Sequence, residues 1–262
     1  LISAYIADEL KVGPVTVIPG VRLDYSTAID KGTASPNLRV KLQAHPRLLL
    51  KAAGGLYAQL PEPDERLAPV GANGLSFERA VHATGGAEVK LTDALELQAQ
   101  GYYKYLHRMV RRVDDGGEPY ENEAKGRAYG GEVLLRHRWT KRFFGWVSYS
   151  FAKAERNDGP ETPYRLFDMD QTHNVVALGS WEFAKGWRLG VRFQYTTGEP
   201  YTDIYASAYQ GDSGTYQPIY DAKRKNTKRR PAFHRLDLRL DRKWVFRDWI
   251  LHAYVDVQNV YY

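Results

Sequence analysis

The sequence has 262 residues, 43% of them hydrophobic and 26% charged, with a formal net charge of +6 at pH 7. That much apolar material excludes wholesale disorder. No stretch of about 18 residues is free of charge, which excludes a transmembrane helix. Cysteine is absent, so thiolate metal sites, cysteine nucleophiles and disulfides are excluded as well.

An alternation of apolar and polar residues with a period of two dominates the chain and predicts β-strands. Over 233–241, leucines at every second position would point to one side, and arginines and aspartates to the other. The same pattern recurs over 187–196 and 249–258. No segment of comparable length shows a capped helical period, so helices should be scarce. The alternation predicts about twelve strands, roughly at 3–11, 14–26, 35–45, 47–59, 78–91, 94–110, 121–139, 142–155, 171–184, 186–198, 232–246 and 248–261.

The connections between these strands alternate in length. Short turns are expected near residues 12, 46, 92, 141, 185 and 247. Long polar loops are expected at 27–34, 60–77, 111–120, 156–170 and 199–231. Antiparallel up-and-down pairing would put every short turn at one end of the sheet and every long loop at the other, as in outer-membrane barrels. The strands, at about 10–15 residues, are also longer than those of most soluble sheets.

Aromatic residues give a second indication of a membrane barrel. Every tryptophan lies within about five residues of a predicted short turn, where an indole suits a membrane interface. The tryptophans are Trp139, Trp146, Trp181, Trp187, Trp244 and Trp249. Tyrosines mark the opposite strand ends, namely Tyr25, Tyr57, Tyr103, Tyr105, Tyr195 and Tyr201. A soluble β-sandwich is disfavoured because its polar face would not stay charged over so many long strands. We therefore predict an all-β fold, a transmembrane antiparallel up-and-down β-barrel.

Several segments resemble one family of membrane barrels and occur in the order that this family shows. Residues 233–242 read FHRLDLRLDR and residues 254–261 read YVDVQNVY, which closely resembles the penultimate strands of TonB-dependent outer-membrane receptors. A similar resemblance is carried by GWRLG at 186–190 and YTTGEPY at 195–201. Further segments of this kind lie at 61–87, 129–132, 146–152 and 168–173. Their joint order and spacing cover nearly the whole chain.

The resemblance implies a barrel of about 22 strands, an N-terminal plug domain and a segment that binds the energising TonB complex. Since fewer strands are predicted here, and the chain opens on Leu1 without Met, we expect residues 1–262 to form one β-barrel domain. It would be the C-terminal portion of the barrel, with the plug domain and the final strand absent. The implied function is a TonB-dependent receptor that imports a scarce solute, siderophore-type or similar, by energised active transport. The implied location is the outer membrane of a Gram-negative-type bacterium.

The implied partners are outer-membrane lipid and lipopolysaccharide, a small-molecule ligand, and the TonB complex, reached through the absent plug. Nucleic acid is not expected as a partner, and neither a cofactor nor a metal is expected. No enzyme activity is expected either, because serines and histidines form no triad-like arrangement and no phosphate-binding loop occurs. The alternatives are a complete small barrel acting as a passive porin, a structural barrel component of an envelope assembly, and an outer-membrane hydrolase.

Ligand contacts are predicted on aromatic and cationic side chains of the long loops. The candidates are Tyr164, Arg165, Tyr201, Tyr205, Tyr209, Tyr216 and Arg224. Six of the eight residues at 223–230 are basic; this basic run is expected to be a mobile, solvated loop that attracts lipopolysaccharide phosphates or an anionic ligand. Asp168 and Asp170 could hold a hard cation but are expected to be simply solvated. The charged residues of the polar side are expected to pair with one another or with the absent plug rather than to bind the solute. They are Arg188, Arg192, Arg235, Asp237, Arg239 and Asp241.

Overall fold

The fold is described by a computed structural model that covers residues 1–66, 71–113, 119–160, 162–221 and 224–261. It contains one antiparallel sheet of 14 strands and, in a long connection, two sheets of two strands each. A short helix, α1, spans Pro63–Arg66. None of the described residues belongs to a helix long and apolar enough to cross a membrane.

The strands follow one another along the chain as an up-and-down meander. The first nine are β1 (Ile2–Ala7), β2 (Leu10–Val12), β3 (Val15–Ser26), β4 (Lys31–His45), β5 (Leu48–Gln59), β6 (Glu78–Lys90), β7 (Leu95–Arg112), β8 (Tyr120–His137) and β9 (Phe143–Asn157). The others are β10 (Arg165–Leu166), β11 (His173–Ala184), β12 (Trp187–Thr196), β13 (Pro200–Tyr201), β14 (Ile204–Gln210), β15 (Thr215–Tyr220), β16 (Lys228–Arg229), β17 (Phe233–Val245) and β18 (Ile250–Val257).

The large sheet has the order β1-β3-β4-β5-β6-β7-β8-β9-β11-β12-β17-β18, with β2 added to β3 and β10 added to β9. Because consecutive long strands are antiparallel, the predicted short turns share one end of the sheet, the short-turn end. The described residues of the loops at 60–77 and 199–231 lie at the other, the long-loop end. Strands β1 and β18 form the two edges, and no pairing joins them in the described part of the chain, so the barrel is not closed within it.

The strands predicted from the alternation are confirmed, with shifts of a few residues at their ends. One correction concerns the first predicted strand, 3–11, which is two strands, β1 and β2. Both pair with β3, but the ladder is interrupted at Asp8 and Glu9, opposite the region of Pro19. The Asp8 backbone N still donates to the Pro19 carbonyl at 3.2 Å. Proline has no N–H to return this hydrogen bond, so the ladder is interrupted there.

A second correction concerns the long loop predicted at 27–34. Strands β3 and β4 remain paired on both sides of residues 27–30, which form a tight turn. Asp30 closes the turn at a φ of 51°, and the Tyr25 hydroxyl donates to the Asp30 carboxylate at 2.5 Å. Aspartate tolerates this left-handed conformation better than most residues. The polar residues that suggested a long loop therefore form a short connection.

Cross-strand pairs divide the sheet into an apolar face and a polar face. Residues opposite one another in an antiparallel pair share a face, and neighbours along a strand lie on opposite faces. On the apolar face, a ladder from β3 to β11 runs through Val15, Leu42, Leu50, Ala87, Ala99, Val133, Tyr149 and Val175. On the polar face, the adjacent ladder runs through Thr16, Lys41, Lys51, Gly86, Gln100, Glu132, Ser150 and Asn174.

The apolar face is exposed rather than packed against a second layer. Val133, Val147 and Leu240 have exposed fractions of 41%, 48% and 38%. Among the described residues, the buried hydrophobic side chains are Ala72, Leu75, Phe77, Val110 and Ala124. All of these lie towards the long-loop end, whereas a sandwich would bury one whole face of the sheet. An exposed apolar face of this extent is that of a wall in contact with lipid.

The predicted pairing of the strands at 187–196 and 233–244 is confirmed, since β12 and β17 are antiparallel neighbours. Leu189 lies opposite Leu240, and Val191 lies opposite Leu238. These leucines and the valine lie on the apolar face, as the alternation predicts.

The tryptophans divide between the two faces, which corrects the predicted aromatic girdle. Trp181 and Trp187 lie on the apolar face near short turns, as predicted. Trp146, however, lies opposite Arg136 on the polar face. Its neighbour Val147 is on the apolar face, and adjacent strand residues point to opposite sides. Proximity to a turn therefore could not assign the face of Trp146.

Replacing Val133 with arginine tests the assignment of the faces, and the adjacent Leu134 supplies the matched control. Val133 lies in the apolar ladder, whereas Leu134 lies opposite Gln98 on the polar face. We expect Val133→Arg to lower the free energy of unfolding by roughly 2–4 kcal/mol near the bilayer midplane, and Leu134→Arg to lower it clearly less. Urea titration of the intact protein refolded into phospholipid vesicles measures both. Equal losses would contradict a sheet with one lipid face.

Candidate functional site

The connection between β12 and β17 builds two small sheets at the long-loop end. Strand β13 pairs with β16, and β14 and β15 form a separate hairpin. In the hairpin Tyr209 lies opposite Tyr216, with ring centroids 5.3 Å apart. Its turn uses Gly214 at a φ of 65°, a conformation that favours glycine. The loop predicted at 199–231 therefore contains strands of its own.

A buried carboxylate anchors the base of this connection. Asp170 is only 2% exposed and accepts hydrogen bonds from the Ala154 backbone N and the Thr172 hydroxyl, both at 2.7 Å. From β16, Arg229 Nη2 donates to the Asp170 carboxylate at 2.5 Å, and its Nη1 donates to the Gly198 carbonyl at 3.0 Å. A carboxylate buried in this way requires a charged, hydrogen-bonded partner. The pair joins the connection to the loop that follows β9.

Asn226 makes a second link between the same two loops. Its Nδ2 donates to the Leu166 carbonyl at 2.8 Å and to Asp168 Oδ1 at 2.5 Å. Its backbone N donates to the Thr202 hydroxyl at 3.1 Å. Asn226 is buried and has a φ of 59°, which asparagine tolerates. It therefore fixes the path of the basic run as well as its contact with the neighbouring loop.

Asp158 is the partner of cationic side chains where the same two loops meet. Arg165 donates to its carboxylate from Nε at 2.6 Å and from Nη2 at 3.0 Å, and Lys225 lies 3.7 Å away. Burial by itself would raise the pKa of Asp158, but the hydrogen bonds from Arg165 and the positive charges of Arg165, Lys225 and Arg156 together outweigh it and lower this pKa. The resulting stabilisation is complete above the ordinary aspartate pKa and is lost as the pH falls through the lowered pKa. We name these contacts the loop clamp, formed by Asp158, Arg165, Asp168, Asp170, Asn226 and Arg229.

Five of the seven predicted ligand contacts lie in the connection between β12 and β17. Tyr205, Tyr209 and Tyr216 lie on the β14–β15 hairpin, with exposed fractions of 78%, 61% and 71%. Tyr201 lies in β13, before the hairpin, and Arg224 is exposed after it. The structure thus brings three predicted tyrosines together on one exposed element.

The other two predicted contacts, Tyr164 and Arg165, lie in the loop after β9. The Arg165 side chain is only 12% exposed, because it pairs with Asp158 and Asp168. The Arg127 guanidinium lies 4.4 Å from the centroid of the Tyr164 ring, and burial raises the pKa of Tyr164. Both side chains therefore have structural partners that their residue types alone did not indicate.

The basic run at 223–230 is not uniformly solvated, which corrects the expectation for it. Lys223 lies outside the described residues. Arg229 is held by the buried Asp170, so it is anchored rather than free. The exposed cations of the described part of the run are Arg224, Lys225, Lys228 and Arg230.

Asp168 and Asp170 both have arginine partners, Arg165 and Arg229 respectively. The expectation of simple solvation is therefore wrong for Asp170. In the described ranges, no group of three or more His, Asp or Glu side chains is suited to a metal ion. Sequence reasoning missed the roles of Asp158 and Asn226. The signal that could have found them is the complementary charge of the acidic loop after β9 and the basic run.

The polar face of the sheet carries ion pairs, so the first of the two alternatives for its charged residues is confirmed within 233–241. Arg235 and Asp237 lie 2.6 Å apart, and Arg239 and Asp241 lie 2.9 Å apart. These pairs neutralise charge along the side of the wall that faces away from lipid.

An exposed apolar face, a polar face with ion pairs and long loops gathered at one end define part of an outer-membrane receptor barrel. The chain belongs to the TonB-dependent receptors: the family described as "TonB dependent receptor-like, beta-barrel" matches residues 2–260. Members of this family are outer-membrane proteins of Gram-negative bacteria, and this is the location of the chain.

Solved structures of three receptors share the fold. The FrpB iron transporter of Neisseria meningitidis (F3-3 variant) has a TM-score of 0.70 and 16% identity, over 99% of this chain and 40% of FrpB. The ferric-catecholate import receptor Fiu of E. coli K12 has a TM-score of 0.73 and 15% identity, over 99% of this chain and 40% of Fiu. The siderophore receptor PiuA of Acinetobacter baumannii has a TM-score of 0.73 and 12% identity, over 98% of this chain and 38% of PiuA. The chain thus spans less than half the length of each receptor. No curated protein sequence matches it.

Replacing Asp170 with asparagine tests the loop clamp, with Asp168→Asn as the matched control. Asp170→Asn removes a buried charge opposite Arg229, so we expect the clamp to weaken by about 2–4 kcal/mol. The Asp168 side chain is 60% exposed, and its loss should cost roughly 0–1 kcal/mol. Amide hydrogen exchange over 199–221 in the intact protein measures the loosening. Similar exchange rates in the two variants would contradict a buried anchor at Asp170.

Proposed function

We propose that the chain is part of the barrel wall of a TonB-dependent receptor that imports a scarce solute of the siderophore type across the outer membrane. The observation that carries the proposal is the family match over residues 2–260, on a sheet with one apolar and one polar face. Its similarity to proteins described as an iron transporter, a ferric-catecholate import receptor and a siderophore receptor supports the substrate class. Energy would come from the TonB complex, acting on a plug domain inside the barrel.

The long-loop end offers the chemistry that such a solute requires. Ferric chelates present anionic oxygen atoms and, in catecholates, aromatic faces. Tyr205, Tyr209 and Tyr216 are exposed rings that can contact an aromatic ligand. Arg224 and Lys228 are exposed cations of the same connection, which attract an anion. The same cations lie on the side where lipopolysaccharide phosphates would be, so we include lipopolysaccharide among the proposed partners.

The loop clamp fixes the position of the connection that carries these tyrosines and cations. Arg229 is held by Asp170, and its strand β16 pairs with β13, so both ends of the β14–β15 hairpin are attached to the neighbouring loop or to each other. A loop that is positioned in advance loses less conformational entropy when a ligand binds. The clamp therefore supports binding without contacting the ligand.

Replacing Tyr209 and Tyr216 with serine tests the contact role of the hairpin. Loss of two rings should weaken ferric-siderophore binding about tenfold, because an aromatic contact contributes about 0.5–1.5 kcal/mol. The matched control replaces Tyr103 and Tyr105, which lie towards the same end of the sheet but on the apolar face. This control should leave the affinity unchanged. Binding of a panel of radioiron-loaded siderophores to whole cells measures both pairs, and equal losses would place the contacts elsewhere.

Energised import is measured on the same cells with a protonophore. Accumulation of radioiron should stop when the proton gradient is dissipated, while binding at the surface persists. Accumulation that survives the protonophore would contradict energised transport and favour a passive porin.

A further inference from the structure

The apolar face carries an arginine close to its short-turn end. Arg242 lies in β17, opposite Trp187 of β12 and Ala253 of β18. It follows Leu240 by two residues, so both side chains lie on the same side of the strand. A charged side chain on a lipid-facing surface is costly, and the cost depends on its depth. The groups that contact the Arg242 guanidinium therefore decide whether its N–H donors can bind an anion.

Two indole rings and one carbonyl hold the Arg242 side chain in place. Its guanidinium carbon lies 4.9 Å from the ring centroid of Trp187 and 5.3 Å from that of Trp244. Its Nη1 donates to the Lys185 carbonyl at 2.6 Å. Cation–π contacts of this kind fix the guanidinium but leave its N–H donors at the edge of the plane available.

Arg242 lacks the counter-ion that another arginine of the apolar face has. At the long-loop end, Arg127 lies 2.5 Å from Glu155. Within the described ranges, no acidic side chain lies within 4.0 Å of Arg242. Its remaining N–H donors have no partner there and are not buried, so they are open to an anion.

The depth of Arg242 matches the level of lipid headgroups. It lies near the short turns at 185–186 and 246–249, at the end that faces the periplasm in outer-membrane barrels. Exposed Trp181 and Trp249 lie at the same end, and indoles prefer the headgroup region. The periplasmic leaflet of an outer membrane consists of phospholipid. A phosphodiester group is therefore the anion present at this depth.

We propose that Arg242, held between Trp187 and Trp244, binds the phosphate of one phospholipid of the periplasmic leaflet. A guanidinium group matches the geometry of a phosphate with two parallel N–H donors. The acyl chains would lie along the apolar face past Leu240 and Val255, which are opposite one another and exposed. The site lies at the opposite end of the wall from the loop clamp and does not depend on the identity of the transported solute.

Native mass spectrometry of the purified intact protein with added phosphatidylglycerol tests this site. Arg242→Gln should weaken the first lipid-binding step about tenfold or more, since hydrogen bonds to charged groups contribute about 1.5–3 kcal/mol. The matched control is Arg188→Gln. Arg188 is next to Trp187 in sequence but lies on the polar face, and its guanidinium is 4.9 Å from the Trp139 ring centroid. This control removes the same charge from the same kind of contact at a similar depth, and lipid binding should be unchanged.

Two further probes identify the bound group. Diacylglycerol has the acyl chains but no phosphate and should not bind at the site, and inorganic phosphate at millimolar concentration should not compete with the lipid. Equal lipid loss in the Arg242 and Arg188 variants, binding of diacylglycerol as tight as that of phosphatidylglycerol, or competition by inorganic phosphate would each overturn the proposal. Should the glutamine variant fail to fold, Arg242→Lys decides. It keeps the charge but loses the planar donor pair, so binding should weaken severalfold, and unchanged binding would overturn the proposal.

Discussion

Backbone N–H and C=O groups inside a hydrocarbon layer must be hydrogen-bonded within the protein, and the structure of this chain follows from that constraint. The antiparallel ladder satisfies it from strand to strand across the wall. Register shifts within the wall occur near strand ends, as between Leu106 and Met109 and between Trp181 and Ala184. These positions lie towards the two ends of the sheet, where water is near. From β3 to β18 the central part of each ladder is regular, whereas the ladder that joins β1 and β2 to β3 is interrupted opposite Pro19. The regular part is what produces one apolar and one polar face.

Outside the hydrocarbon layer the constraint is relaxed, and side-chain contacts rather than the backbone ladder hold the loops together. The loop clamp holds two loops together with charged and amide groups, and its central pair joins Asp170 to Arg229, 59 residues further along the chain. Its strength comes from burial of the carboxylate rather than from regular backbone pairing. The wall and the loops are thus stabilised by different interactions. The loops can therefore vary in sequence without a change in the wall.

The wall could be predicted from the sequence because alternation reports directly which face a strand residue occupies. Leu189, Val191 and Leu238 lie where that pattern predicts. The pattern failed where a single side chain decides the outcome, as at Asp30, whose left-handed conformation closes a turn in place of a loop. The clamp was not predicted for another reason. Arg165 and Arg229 look like solvated loop cations until their partners, which are distant in sequence or hidden in a second loop, are known.

The central claim is that one face of the sheet contacts lipid while the other does not, and site-directed spin labelling along β8 measures this most directly. The sequence contains no cysteine, so each introduced cysteine in it reports a single position. In the intact protein in bilayers, oxygen should relax labels at Gly131, Val133 and Leu135, which share the apolar face. A polar nickel complex should instead relax labels at Glu132 and Leu134, which share the polar face. Accessibility that alternates with every residue is the predicted result, and the same reagent reaching adjacent positions equally would contradict the account.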